Sequence, residues 1–413
     1  MSTVDLGTCP YFDDVHTERV EAFGSFYHTF EFSIPANHES AEFAKEKNLV
    51  VFPDLDGDVK CFTIATVSDK AGPDGLYKRC KCDDSAQDEL NCWPIHFAVP
   101  YSGAAADDML TDVLAGTRWQ PGIVEALSSQ TADADWKDYP TAWACVLDIA
   151  RLFSLEPKTR VEVVGNLITA RYVDLLQRRG TYTGLTLSYA GNTSSVERLG
   201  DGGQVYTAMY GLGKADTNGD PLTFTNVVWT VLGGDPIDKP DNQAWVGDPD
   251  MLEGLPADPA NGVAEVPAYG IPLDGGDSVI HRFGVFRDPD ETDAGHLLDK
   301  TYADWNTYHR RPQYSYDVAV VSLERMPPQQ PGDAVRTWEA LRIGDTVGVR
   351  NTVTVPPYSD EARVSEVRRC YSDPTKDAVV LGPPRRRFSS YIADNLRLGR
   401  KVAQQEGIWT GAA

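Results

Sequence analysis

The chain lacks any apolar run near the ~20 residues that a membrane-spanning helix needs. Its start, MSTVDLGTCPYFDDV, lacks a basic stretch followed by an apolar one, so no signal peptide or membrane anchor is expected. Basic residues are scarce: 38 Lys and Arg stand against 61 Asp and Glu, a net charge of −23. Phosphate backbones repel such a chain, which excludes a general nucleic-acid binder. Familiar catalytic signatures are missing too. No G-x-S-x-G, H-E-x-x-H, phosphate loop or C-x-x-C occurs. No internal repeat of 20 to 50 residues is visible.

Cysteines number 7, an odd count scattered over 413 residues, which argues against a secreted disulfide framework and for synthesis in a reducing cytoplasm. Cys80, Cys82 and Cys92, with His96, allow a thiolate metal site, but the spacing fits zinc motifs poorly. The plainer reading puts Cys80 and Cys82 on one strand face at period 2. Cys145 falls on the apolar face of a helix with Trp143, Val146 and Leu147, a core position rather than a nucleophile's. None of the seven histidines, His16, His28, His38, His96, His281, His296 and His309, sits four residues from another. No catalytic, cofactor-binding or metal-ligating residue, and no cofactor, is assigned.

What is present is turn and strand. Gly and Pro number 35 and 27, above the usual share, and the length is enough for two to four domains. FYHTFEFSI (26–34) alternates. LVVFPDL (49–55), the Asp56-Gly57 turn and VKCFTIATV (59–67) predict a hairpin, and Pro73-Asp74-Gly75 predicts a second turn. The first hundred residues thus read as a small β-barrel or sandwich. Met109, Leu110, Val113 and Leu114 predict a helix within 103–117, with Gly116 as its cap, and 141–156 predicts another. RVEVVG (160–165) reads as a strand, and YVDLLQRRG (172–180) as a helical turn or a strand. Strands return over 181–232; 233–277 is an acidic loop region. A helix over 293–311 is stopped by Pro312. Strands follow at 314–326, in LRIGDTVGVRN, in ARVSEVRRCYS and in DAVVLG, and a last helix at 388–405.

Two acidic stretches, Asp54-Leu-Asp56-Gly57-Asp58 and Asp216-Thr-Asn218-Gly219-Asp220, look superficially like calcium loops. Both have glycine at position 4 and lack the closing Glu, so hairpin turns are expected. Gly211-Leu-Gly213-Lys214 is an incomplete phosphate loop, read as a strand end whose glycines serve backbone geometry. The basic run Arg385-Arg386-Arg387 is read as a solvated linker.

One stretch is more specific. Leu341-Arg-Ile-Gly344-Asp345-Thr346-Val347 is followed by Ala362-Arg363-Val364, Tyr371-Ser-Asp373-Pro374 and Val380-Leu381-Gly382. This order resembles the "LGDTV … ARV … D-P … LG" segment of siphophage baseplate hub and tail-associated proteins, the prophage tail endopeptidase-like family, itself similar to the hub of contractile phage tails. Ala104 to Trp119, Gly180 to Gly184, Ser195 to Arg198, Val205 to Ala208, Tyr210 to Lys214, Trp229, Gly234 to Pro236, Lys239-Pro240, Trp245 to Asp248, Gly284 to Phe286 and Tyr314 to Asp317 extend it over about residues 26–395.

The resemblance implies a mostly β, α+β fold with two tube-type β-barrel domains and two outer α/β domains. The barrels would occupy 1–100, and 201–232 with 312–387. The outer domains would occupy 101–200 and 233–311, and 388–413 would be a C-terminal helix. It implies a structural virion protein at the tail tip: a homotrimer that joins the hexameric distal tail protein. That trimer would meet the tape-measure protein's C-terminus and a fibre or receptor-binding protein, and see DNA only in transit. Two alternatives compete. One is a peptidase or peptidoglycan hydrolase, for which a chain ending at Ala413 leaves no room beyond the hub fold. The other is a receptor- or carbohydrate-binding module using Trp245, a residue otherwise read as packed between domains.

Overall fold

After the two-residue strand Thr3–Val4, the first long strand is one that hydropathy hides. FDDVHTER forms β1, Phe12–Arg19, with Asp14, His16 and Glu18 facing inward and Phe12 and Val15 exposed. Its polar alternation resembles a solvated face, so the N-terminal segment gives no strand signal. The computed structural model describes residues 3–4, 10–20, 26–72, 75–95, 100–127, 129–136, 140–189, 193–230, 238–256, 265, 267–273, 279–289, 291–320, 340–354 and 357–382. The expected C-terminal helix, the Arg385–Arg387 run, Cys9, His96 and the Pro73-Asp74 turn lie outside the described residues.

The chain divides into two units. The first takes residues 1–198 and 315–413. After β1 come β2 (Tyr27–Pro35), β3 (Leu49–Pro53), β4 (Val59–Gly72) and β5 (Gly75–Asp84). β3 and β4 form the expected hairpin, turned where Gly57 sits at φ +87° and donates to Asp54 O. The short helix α1 (Ser85–Asn91), invisible to periodicity, is capped by Asp84 Oδ1, which accepts from Ala86 N.

Helices α2 (Ala106–Leu114) and α3 (Ala142–Leu152) flank the short strand β6 (Gln120–Val124), and Thr141 caps α3. α3 ends earlier than expected. Ser154 turns at φ +53°, and Glu156 already begins β7 (Glu156–Val164). β8 (Leu167–Leu176) settles the open choice at 172–180 as strand. β9 (Tyr182–Ser188) leads to the strand Thr193–Asp201, by which the chain leaves this unit. It returns through β10 (Gln313–Val320), followed by β11 (Thr346–Asn351), β12 (Tyr358–Arg369) and β13 (Ala378–Leu381).

These strands form one large sheet in the order β10-β13-β12-β1-β2-β5-β4-β7-β8-β6. N-terminal β1 lies antiparallel to C-terminal β12, with Glu18 opposite Val367. Among the described residues the pairing closes no barrel. The fold is mostly β. Three apolar cores serve the sheet. Met109, Val113, Trp143, Val146 and Ile149 of the helices cover Val161, Val173 and Leu175. Phe30, Phe32, Phe62, Ile64, Cys80 and Cys82 fill a second core. Val318, Val347, Val364 and Leu381 contribute to a third.

The second unit, 199–314, is built on β14 (Ala208–Leu212) between antiparallel β15 (Trp245–Gly247) and parallel β16 (Phe283–Arg287). Helix α4 (Ala294–Asp304) runs into a wider turn, Trp305–His309, and buries Leu297, Leu298 and Trp305 against Met209 and Val246. LTFTNVVWTVL, expected as a strand, is largely loop in its described part, with only Trp229–Thr230 paired. Lys239 is fully buried and donates through Nζ to the carbonyls of Thr225, Val227 and Pro240.

Candidate functional site

Between the second and third cores of the first unit runs a seam of buried polar side chains. Its inner row is Asp14, His16 and Glu18 on β1, three residues at period 2 on one face. Register sets Glu18 opposite His28 on β2 and His16 opposite Arg369 on β12. The β3–β4 turn adds Asp54 and Asp56. A crevice is lined by His16, Glu18, Asp56, Ile343, Val367 and Arg369.

The charges are paired at hydrogen-bond distance. Arg369, buried, donates to Asp54 Oδ1 at 2.8 Å, Asp56 Oδ1 at 3.3 Å and Leu341 O at 3.0 Å. Arg342 joins Asp56 at 2.7 Å and Leu55 O at 3.0 Å. Arg179 meets Glu18 at 2.6 Å, and Arg363 grips Glu156 with two nitrogens at 2.6 and 2.7 Å. Such forked pairs are the strong form of a charge-assisted bond. Asp14 accepts from the backbone N–H groups of Tyr371 and Ser372.

A second line of contacts runs through the histidines. His28 Nδ1 lies 2.7 Å from Asp84 Oδ2, and His16 Nε2 lies 2.8 Å from His28 Nε2. His16 Nδ1 lies 2.9 Å from Tyr371 Oη, whose hydroxyl reaches Asp54 Oδ1 at 2.7 Å. Thr159 donates to Asp84 Oδ2 at 2.6 Å. Burial, with His28 second, lowers the His16 imidazole to about 3. Burial pushes Glu18 and Asp54 upward, but Arg179 beside Glu18 and Arg369 beside Asp54 outweigh it, and both carboxyls fall below their usual range.

Two turns bear on how tightly these segments meet. Gly180 (φ +77°) and Gly344 (φ +86°) touch backbone to backbone: a Cβ on Gly180 would overlap Gly344 C, and one on Gly344 would overlap Arg179 O. Glycine is required at both.

From this seam two hairpins extend into solvent. The β4–β5 ribbon is exposed on both faces from Ser68 to Gly72 and again at Gly75 and Leu76. The β7–β8 tip presents Val164 and Leu167, paired across the turn, at 69% and 72% exposure.

The motifs weighed from sequence resolve as follows. Cys80 and Cys82 share one buried face of β5 within the aromatic core, as the strand reading expects, and Cys92 is exposed after α1. Cys145 is buried in the helix core. Asp216 Oδ1 accepts from Asn218 N and Asp220 N, a tight turn with Gly219 at φ +90°. Gly211 and Gly213 serve close approach: a Cβ on Gly211 would strike Phe224 and Thr301. Trp245 is half-buried, its ring 4.8 Å from His281 and 5.5 Å from Phe283. Thr207 Oγ1 lies 2.9 Å from His281 Nδ1, but it also accepts from Arg282 N–H and is fully buried, out of reach of a substrate.

Sequence reading missed the seam altogether. The signal was the triple Asp14, His16, Glu18 at period 2, ahead of a strand carrying His28. No helix of the described residues is long and apolar enough to cross a membrane.

The architecture has counterparts. A tail protein from Neisseria meningitidis MC58 is similar at TM-score 0.53 and 12% identity, over 90% of this chain and 92% of its own. The 43 kDa tail protein of prophage MuSo2 from Shewanella oneidensis is similar at TM-score 0.53 and 12% identity, over 91% and 94%. No curated protein matches the sequence. The family model described as prophage endopeptidase tail matches residues 181–392, just over half the chain, from β9 through β13. With the fold and this match together, the chain belongs to the prophage endopeptidase tail family of phage tail proteins.

Proposed function

We propose that this tail protein is a structural baseplate hub at the tail tip, a homotrimer that docks on the hexameric ring of the distal tail protein. The three sheets would together wall a lumen of two tube-like layers, holding the tape-measure protein's C-terminus and passing DNA at ejection. The observation that carries this reading is the pair of solvent-exposed hairpins, one ending in the apolar pair Val164 and Leu167. Exposed apolar tips on a charge-paired scaffold suit assembly with other subunits. The net charge of −23 suits a lumen through which DNA must slide without adhering.

The family description speaks of an endopeptidase. Within the described residues the buried histidines face carboxylates, a phenol and each other rather than a serine or cysteine nucleophile. That geometry supports a structural role. The test is the mass of the purified chain by light scattering, alone and mixed with the distal tail protein. A trimer that co-elutes with the hexameric ring is expected, and Val164→Asp with Leu167→Asp weakens that assembly. A monomer that ignores the ring and cleaves peptide or cell-wall fragments overturns the reading.

A further inference from the structure

With both imidazoles neutral, the histidine line of the seam holds fewer protons than its contacts require. Four contacts join Asp84, His28, His16, Tyr371 and Asp54, at 2.7, 2.8, 2.9 and 2.7 Å. Each needs one hydrogen between its heavy atoms. Two neutral imidazoles and one phenol supply three, and ionised carboxylates supply none.

The shortfall has a natural place. His28 Nδ1–H points at Asp84, Tyr371 O–H at Asp54, and His16 Nδ1–H at the Tyr371 oxygen. The two Nε2 atoms then face each other with lone pairs and no proton between. Any other neutral arrangement sets a lone pair against a carboxylate or a phenol oxygen elsewhere in the line. A cation between the two rings removes the conflict, and a third donor is already present. One ligand atom each from His16, His28 and Glu18 lies within 4.8 Å of the others, and all three residues are buried. A second trio, Glu18, Asp54 and Asp56, adjoins it, and Asp54 Oδ2 is buried without a hydrogen bond.

We propose that His16 Nε2, His28 Nε2 and the Glu18 carboxylate bind one divalent transition-metal ion, zinc by donor chemistry. Two imidazoles and a carboxylate are a zinc-type set. The outer partners are those such ligands use: Asp84 orients His28, and Tyr371 orients His16. Metal–nitrogen bonds of about 2.0–2.1 Å at tetrahedral angles set the two nitrogens about 3.3 Å apart, so binding separates the rings by about half an ångström. Arg179 and Lys60 also face Glu18, and Lys60 Nζ is buried without a hydrogen bond. These cations compete for the carboxylate and moderate the affinity.

The test uses the full chain, stripped with chelator and titrated with Co²⁺ by visible absorption and with Zn²⁺ by calorimetry. One ion per chain is expected, with tetrahedral cobalt bands and a melting temperature that rises with added zinc. His28→Gln weakens binding at least tenfold, whereas His296→Gln at an exposed position does not. Should His28→Gln fail to fold, nitrogen NMR of the wild-type rings decides. Zinc that shifts the Nε2 signals of His16 and His28 alone supports the site. No response to a tenfold excess of metal, or a doubly protonated ring in the metal-free protein, overturns it.

Discussion

Arg369 and Asp54 stand 315 residues apart in the chain, and their side chains meet at 2.8 Å. The pair fastens C-terminal β12 to the N-terminal hairpin turn. Arg369→Met strands a buried carboxylate and lowers stability by about 3–5 kcal/mol. Adding Asp54→Leu recovers part of that loss, because the uncompensated charge is gone. Denaturant unfolding of the two proteins checks both statements. A single substitution costing under about 1 kcal/mol would show the pair to be incidental.

Gly344 and Gly57 both sit at positive φ, but only Gly344 lacks space for a Cβ. Gly57→Ala therefore costs about 1 kcal/mol, for backbone strain alone. Gly344→Ala adds an overlap with the Arg179 carbonyl and costs at least about 2 kcal/mol. Thermal melts of the two variants should rank in that order, and equal losses would contradict the contact with Gly180.

Acid should weaken the second unit through His281. Burial lowers its pKa from 6.5, against smaller opposing effects of Thr207 and Asp248. The unfolded chain thus binds this proton more readily, so the stabilisation is complete above pH 6.5 and is lost as pH falls below it. His281→Asn should flatten that limb of a melting profile taken from pH 7.5 to 5. A variant with an unchanged slope would place the dependence elsewhere.

Thiol labelling should be selective. Cys92 is exposed, while burial pushes Cys61 up to about 11, Cys145 up to about 12 and Cys82 upward as well. Low thiolate content and low access act together. In a Cys9→Ser background, iodoacetamide at neutral pH should modify Cys92 first by a wide margin, as read by mass spectrometry. Comparable rates at Cys80 or Cys82 would contradict their place in the aromatic core.

Local chemistry made parts of this fold legible. The Leu49 to Val67 hairpin announced itself through its Asp-Gly turn, and Met109, Leu110, Val113 and Leu114 all proved buried at helical spacing. The stretch after Leu152 misled because Phe153 and Leu155 prolong an apolar pattern into the core while Ser154 reverses the backbone. β1 was illegible for a different reason: its buried face is Asp14, His16 and Glu18. The Asp54 turn was readable as a turn, but its partner in β12 leaves no local trace. Nothing near Asp54 in sequence names Arg369.

That distance along the chain has a consequence for synthesis. The ribosome releases the N-terminal hairpin turn some 300 residues before Arg369, the arginine that neutralises Asp54. At elongation rates of about 5–20 residues per second, the wait is roughly 15–60 s. During it, the edge of β1 that β12 will cover lacks that neighbour, and Asp14 and Asp54 keep their water, whereas Glu18 already has Arg179 within reach. The nascent chain thus carries the Asp14 and Asp54 carboxylates hydrated until β12 is made. β1 gains its C-terminal neighbour in the sheet only when β12 arrives.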